Sequence, residues 1–158
     1  MIVESNSDIF GSGQKTLLCP ANAAGAMGSG LAKEMRHRFP HYFFRAYRAQ
    51  FPLTLEPADL ERSRAHRLMC IGLPTKQQAL IFCTKYHWKE SADLALIDSN
   101  LELLARQWEY FGIESIALPP IGCGLGGLSY REEVRPLIEK HLSSFDVHVV
   151  GLSPRYTS

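Results

Sequence analysis

Two glycine-rich segments lie far apart in the chain, CPANAAGAMGSGLA at 19–32 and LPPIGCGLGGLSYREE at 118–133. Each follows a short β-rich apolar run and precedes a helical pattern, so each reads as a strand-to-helix loop. Small residues there let a ligand approach the main chain, and a helix N-terminus offers bare N–H groups to an anion. The first loop holds nothing larger than Met27 apart from Asn22 at its head, and the second places four glycines within residues 122–127. Tight turns also favour glycine, so either loop alone is ambiguous. Together they constrain the chain to an α/β domain whose strand ends form a crevice holding one ligand, a diphosphate, from two sides. The spacing fits neither G-x-G-x-x-G nor the P-loop ending in GK[ST], which disfavours a dinucleotide-dependent oxidoreductase and an NTPase.

The rest of the chain supports a three-layer α/β/α arrangement. Strands are expected at 2–4, 16–19, 67–72, 79–84, 115–118 and 147–152, and helices at 29–38 and 41–50, separated by Phe39-Pro40. Residues 51–66, with Pro52 and Pro57, read as a loop containing one short helical turn. The clearest helix spans 91–111, where Leu94, Ile97, Leu101, Leu104 and Trp108 recur on one face, with Ser91 as N-cap and Gly112 as stop. Ser129-Tyr130-Arg131-Glu132 has capping-box spacing. Pro136 then predicts either a kink or a short opening turn ahead of a main helix at 135–142.

A length of 158 residues with 46% hydrophobic content fits one domain, 1–158. The formal charge of +1 gives no general attraction to polyanions, so any must be held locally. Residues 33–50 carry Lys33, Arg36, Arg38, Arg45 and Arg48 against Glu34 alone, a pattern that fits either a solvated helix face or a rim for a polymeric phosphate. The N-terminal residues have no signal-peptide pattern and no apolar run is long enough to span a membrane, so a cytoplasmic monomer without membrane contact is expected. Cys19, Cys70, Cys83 and Cys123 lack CxxC pairing and read as reduced, mostly buried thiols. His37 and His41 have i, i+4 spacing, but Pro40 intervenes, so no metal site is expected, and no cofactor.

The residues around both loops resemble the macro domains, which bind ADP-ribose. Ser7-Asp8-Ile9-Phe10 stands in the place of the family's early Gly-Asp-Leu/Ile segment. Residues 19–32 resemble its VNxVNxxGxMGxGIA loop and 118–128 its P-x-IGCGxGGL loop. Thr84-Lys85-Tyr86-His87-Trp88 is similar to the branch containing terminal ADP-ribose glycohydrolase and DarG-type DNA ADP-ribosyl glycohydrolases. The resemblance implies the macro domain fold with a mixed, roughly six-stranded sheet. It implies that Asp8 accepts from the adenine amine with Ile9 beside the ring. Met27, Gly28, Ser29, Gly30 and Leu31 would line one side of the diphosphate. Pro119, Ile121, Gly122, Cys123, Gly124, Leu125 and Gly126 would wrap its other side and the distal ribose, near Asn22. Thr84 and Leu152 complete the expected binding set.

Lys85 is the expected catalytic residue, as in that branch. A lysine at a strand end facing a cleft can attack the open-chain aldehyde at the ribose anomeric carbon. The alternative is an exposed lysine that only steers phosphate. His87 and Trp88 read as packing residues, although an aromatic ledge at the cleft mouth could stack a nucleobase. Two departures stand out: Gly126 occupies a position that is acidic in the human-type glycohydrolase, and Cys19 replaces the first asparagine of VNxVN. The leading expectation is an ADP-ribosyl glycohydrolase that releases ADP-ribose from a DNA base or a protein side chain, with transient DNA contact in the first case. The alternatives are a non-catalytic ADP-ribose-binding module and an ADP-ribose-1″-phosphate phosphatase.

Overall fold

The computed structural model describes residues 1–157, and at 155 and 157 the main chain alone. Six strands, β1 (Ile2–Glu4), β2 (Thr16–Asn22), β3 (Met69–Gly72), β4 (Gln78–Lys85), β5 (Ser115–Leu118) and β6 (Asp146–Val149), form one sheet in the order β1-β6-β5-β2-β4-β3. Every neighbouring pair is parallel except β3 with β4, so the sheet is mixed. Strand alternation sorts the interior into two layers. Leu17, Cys19, Ala21, Ala79, Ile81 and Cys83 pack on one face with Met35, Phe43 and Tyr47, from helices α1 (Gly30–Arg38) and α2 (His41–Gln50). Leu18, Leu80, Phe82, Ile116 and Leu118 pack on the other with Ile97, Leu101, Leu104 and Ile138, from α3 (Leu94–Gln107) and α4 (Arg135–Leu142). Each buried Leu, Ile, Phe or Met among them contributes roughly 1.5–3 kcal/mol by leaving water, so the central strands are anchored from both sides. A short α5 (Pro154–Thr157) closes the described chain.

Several boundaries differ from the sequence expectation. The last strand ends at Val149, because Gly151 adopts φ 69° and leads the chain back across Ser7, whose carbonyl accepts from the Gly151 N–H at 2.8 Å. Helix α3 starts three residues later than Ser91, since Asp93 supplies the cap: its carboxylate accepts from the Leu96 N–H at 3.0 Å. The regular part of the helix ends at Gln107 and the chain winds on to Gly112, which closes it as expected: at φ 64° the Gly112 N–H donates to Glu109 O at 2.9 Å and the Ile113 N–H to Trp108 O at 3.0 Å. The two prolines at 51–66 accommodate two short 3-10 turns, Pro57–Asp59 and Arg62–His66. Pro136 takes the opening-turn solution: a π-turn over Tyr130–Val134 precedes α4, leaving the proline in its first turn. The Ser129 hydroxyl accepts from the Glu132 N–H at 3.2 Å, while Glu133, not Glu132, answers by accepting from the Ser129 N–H at 2.9 Å. Phe39 and Pro40 separate α1 from α2, which puts His37 and His41 on different helices. Among the described residues no helix is long and apolar enough to cross a membrane.

Candidate functional site

The parallel strands all point their C-terminal ends to one edge, and the segments leaving β1, β2, β4, β5 and β6 enclose a cleft of about 1510 Å³ there. Both glycine loops line it. Chain order reverses around β2, which has β4 on one side and β5 on the other, the place where open α/β sheets hold ligands.

The first loop is held from behind, which frees its front. The Asn22 amide donates to Ala26 O at 2.8 Å and accepts from the Ala24 N–H at 2.9 Å, while the buried Tyr47 hydroxyl donates to Asn22 O at 2.7 Å. Asn22 lines the cleft, yet its side chain is largely committed to shaping the loop. Arg48 donates twice to Gly25 O, at 3.1 and 2.9 Å. Gly25 is sterically required: at φ 85°, an added Cβ would lie 2.5 Å from Phe51 O. Gly28 has open space around it and no positive φ, so the fold does not need a glycine there. No group among the described residues accepts from the N–H of Gly28 or Ser29, and the Ser29 hydroxyl makes no cap bond to α1. These groups form an unsatisfied, exposed donor set at a helix N-terminus.

The second loop closes on itself through Leu128 N–H to Gly122 O at 2.9 Å, and leaves the N–H groups of Gly124, Leu125 and Gly126 without acceptors among the described residues. At Gly126 an added Cβ would sit 2.6 Å from Gly122 O and 2.7 Å from the Ala92 Cβ, so the acidic residue of the human-type pattern has no room here. Gly124, like Gly28, has open space. Cys123 lines the cleft, but burial, then the Glu133 charge, pushes its thiol up to about 12, so it remains protonated and weakly nucleophilic. Cys19 is buried and likewise pushed up to about 12 by desolvation. All four cysteines are free.

Lys85 stands at the end of β4, half-buried and lining the cleft. The ladder runs Pro20↔Phe82, Ala21↔Cys83, then Asn22↔Lys85, so Thr84 is an extra, bulged residue. Regular alternation would give Lys85 the face of Ile81 and Cys83, under α1 and α2. The bulge instead moves it opposite Asn22, where the two strands feed their loops, an effect typical of bulges beside functional sites. Its amine makes no hydrogen bond or ion pair among the described residues. Thr84 is buried, lines the cleft, and accepts at its carbonyl from the Asp93 N–H.

Beyond Lys85, His87 is fully buried. The Lys89 N–H donates to its Nδ1 at 3.1 Å, which leaves the proton on Nε2, donated to Thr54 O at 2.8 Å. Trp88 lies over the His87 ring, centroids 3.9 Å apart, and lines the cleft. His87 is therefore a packing residue, and Trp88 is both packed and presented.

At the opposite wall, Asp8 caps the 3-10 turn Ile9–Gly11 by accepting from the Phe10 N–H at 3.1 Å. That bond uses one carboxylate oxygen, and the residue remains exposed in the cleft beside buried Ile9. Met27, Gly30, Leu31, Pro119, Ile121, Gly122 and Leu125 also line the cleft. Leu152 does not: with β6 ending at Val149, its side chain turns into the core beside Leu18 and Val149, and Val150, Gly151 and Tyr156 take the wall. Gly151, with its positive φ, is the sequence signal for that break. Tyr130 is a lining residue that the sequence reading does not single out; its buried phenol donates to Glu4, and burial followed by the Glu4 bond raises its pKa. The basic stretch is mostly engaged inside the molecule: Arg36 and Arg48 lie over Phe44, and Arg38 pairs with Glu34 and covers Phe10.

The fold and site together define a mixed-sheet α/β/α protein with a nucleotide-sized cleft built from main chain. The chain belongs to the macro domain family, whose signature matches residues 19–137. A DNA ADP-ribosyl glycohydrolase of Mycobacterium tuberculosis is 27% identical over 98% of this chain and 42% of its own length. A DNA ADP-ribosyl transferase–DNA ADP-ribosyl glycohydrolase fusion protein of Thermosipho africanus is 31% identical over 90% of this chain and 39% of its own. The chain thus spans about two fifths of these relatives. Among solved structures, the macrodomain of Mycobacterium tuberculosis DarG superposes with a TM-score of 0.80 at 26% identity, covering 97% of this chain and 99% of that one. Thermosipho africanus DarTG in complex with ADP-ribose superposes with a TM-score of 0.75 at 28% identity, over 90% and 39%.

Proposed function

We propose that the cleft binds ADP-ribose and that the protein is a glycohydrolase that releases it from a modified DNA base, with Lys85 as nucleophile. One observation carries the reading: a bulge places a lysine that has no partner among the described residues in the cleft lined by both donor-rich glycine loops. The unsatisfied N–H groups of residues 28–29 and 124–126 suit the diphosphate, and the free oxygen of Asp8 suits an exocyclic amine. The relatives' names and the DarTG complex with ADP-ribose support the ligand and the DNA acceptor.

The unprotonated Lys85 Nζ forms a bond to the anomeric carbon. The carbon–acceptor bond breaks, the acceptor leaves as an anion with that electron pair, and the secondary ammonium so formed on Lys85 then gives up its proton to that anion. Water then adds to the same carbon, the carbon–nitrogen bond breaks, and Lys85 regains its proton. Free ADP-ribose and unmodified acceptor result.

The test compares wild type with Lys85→Ala on DNA ADP-ribosylated at a base and on a peptide ADP-ribosylated at glutamate, with ADP-ribose affinity followed by calorimetry. Release from DNA by wild type, at least about 10²-fold slower in the variant with affinity kept within about threefold, is expected. Binding without release in either protein would make this a binding module, and release of phosphate from ADP-ribose-1″-phosphate instead would make it a phosphatase.

A further inference from the structure

We infer that Trp88 and Leu125 form an acceptor subsite that grips the planar heterocycle of a modified base, and so select a nucleobase over a carboxylate side chain. The inference rests on the glycohydrolase reading, because the group attached to the anomeric carbon must lie just beyond Lys85. Two walls meet there. One is the segment following Lys85, which carries Trp88. The other is the second glycine loop, seated against that segment: added Cβ atoms at Gly122 and Gly126 would come within 3.3 and 2.7 Å of the Ala92 Cβ. Leu125 rides at the tip of this loop, 82% exposed and lining the cleft.

Leu125 is not explained by folding, and Trp88 packs only in part on the α1–α2 core layer while also lining the cleft. An apolar residue as exposed as Leu125, flanked by Gly124 and Gly126, stabilises nothing in the free protein. Trp88 is fixed in orientation by its neighbour: the His87 ring lies against it with planes 32° from parallel, and His87 is itself locked to Thr54 O and the Lys89 N–H. A pre-set indole loses little entropy when a flat partner stacks on it.

The placement of carboxylates around the cleft narrows the acceptor. Among the described residues lining the cleft, the acidic ones are Asp8 and Glu132, on the turn after β1 and on the π-turn beyond Ser129. Neither belongs to residues 84–92 or to the 122–126 loop. Glu90 and Asp93 follow Lys85 but lie outside the lining, held by Arg62 and by the α3 cap. With no acid among the described residues of the walls beside Lys85, the leaving group must be stable as an anion. A pyrimidine ring nitrogen between two carbonyls is, because both carbonyls delocalise the charge, whereas an alkoxide is not. A carboxylate is also stable as an anion, and stacking is what separates the two.

The experiment measures equilibrium binding in a Lys85→Ala background, so that nothing turns over. The probes are ADP-ribose, a single-stranded oligonucleotide carrying ADP-ribose on a pyrimidine ring nitrogen, and a peptide carrying it on glutamate. Adding Trp88→Ala is expected to weaken the oligonucleotide about tenfold with the other two probes changed less than about twofold, and Leu125→Ala, which keeps the main-chain N–H assigned to the diphosphate, to weaken the oligonucleotide about threefold more than it weakens either of them. Trp88→Phe restores most of the loss. Equal losses on all three probes, or none on the oligonucleotide, overturn the subsite. Leu125 is exposed enough for its variant to fold regardless of Trp88. Absence of release by wild type would refute the glycohydrolase reading separately, since the affinity difference reads the subsite without catalysis.

Discussion

Substitution of single glycines by alanine separates the two reasons a glycine can be present. At Gly28 and Gly124 an added methyl meets nothing within 4 Å, and neither residue has positive φ. Alanine there restricts the unfolded chain, so stability should stay level or rise by roughly 0.4–1 kcal/mol. The same methyl projects beside N–H groups that have no acceptor among the described residues. If it displaces one charge-assisted hydrogen bond to a diphosphate, about 1.5–3 kcal/mol of binding is lost, an affinity drop of about 10- to 150-fold. At Gly126 the order reverses. The methyl would lie 2.6 Å from Gly122 O, a main-chain atom that cannot rotate away. Overpacking of this kind costs about 1–3 kcal/mol, and at about 2–4 °C per kcal/mol the melting temperature should fall by roughly 2–12 °C. Thermal melts and calorimetry with ADP-ribose on all three variants check this. If Gly28→Ala and Gly124→Ala bind as wild type does, the bare main chain is not the ligand surface. If Gly126→Ala melts with wild type, the steric argument fails.

Asn22→Ala should lower stability by about 2–3 kcal/mol in chemical denaturation, because it removes the bonds to Ala24 and Ala26 that shape the buried loop. Asp8→Ala should cost at most about 1 kcal/mol through the lost cap, yet weaken ADP-ribose by about tenfold and leave ribose-5-phosphate binding alone, read by competition titration. Alkylation of native protein at about pH 8 should be slow at Cys19 and Cys123, whose thiols are pushed up to about 12; mass spectrometry showing rapid labelling would contradict the burial argument. The Asp98 carboxyl is held below its ordinary value, first by its hydrogen bond to His141 at 2.5 Å. Its contribution is complete above the ordinary value of 3.8 and fades as pH falls through the lower folded value, so Asp98→Asn should flatten the acid limb of a melting-temperature profile below that point.

What the sequence reveals follows from how far each signal acts along the chain. The strands and the long helix are legible because their patterns are local: Ile97, Leu101 and Leu104 recur on one turn-spaced face, and Leu17 to Ala21 alternate between two layers. The cap of α3 is expected at Ser91 and found at Asp93, because the choice falls to Thr84 on a neighbouring element, whose carbonyl takes the Asp93 N–H. Leu152 escapes sequence reading because an apolar run does not show where pairing stops, and the exit is set by Gly151 meeting Ser7 across the sheet edge. The double use of Asn22 depends on Tyr47, distant in the chain, reaching its carbonyl.

The Thr84 bulge lies beyond sequence reading for the same reason, since a bulge exists only relative to its partner strand. It also explains how binding and chemistry can be joined in this fold. The donors of the glycine loops come from main chain, so many side-chain sets can supply them and a binder needs nothing more. Reactivity needs one side chain brought to one point. In the proposed glycohydrolase that side chain is Lys85, which the sheet pairs directly with Asn22, the brace of the first loop. A regular strand would keep the cradle intact while returning Lys85 to the α1–α2 face, so the difference between a binding module and a hydrolase can rest on one inserted residue.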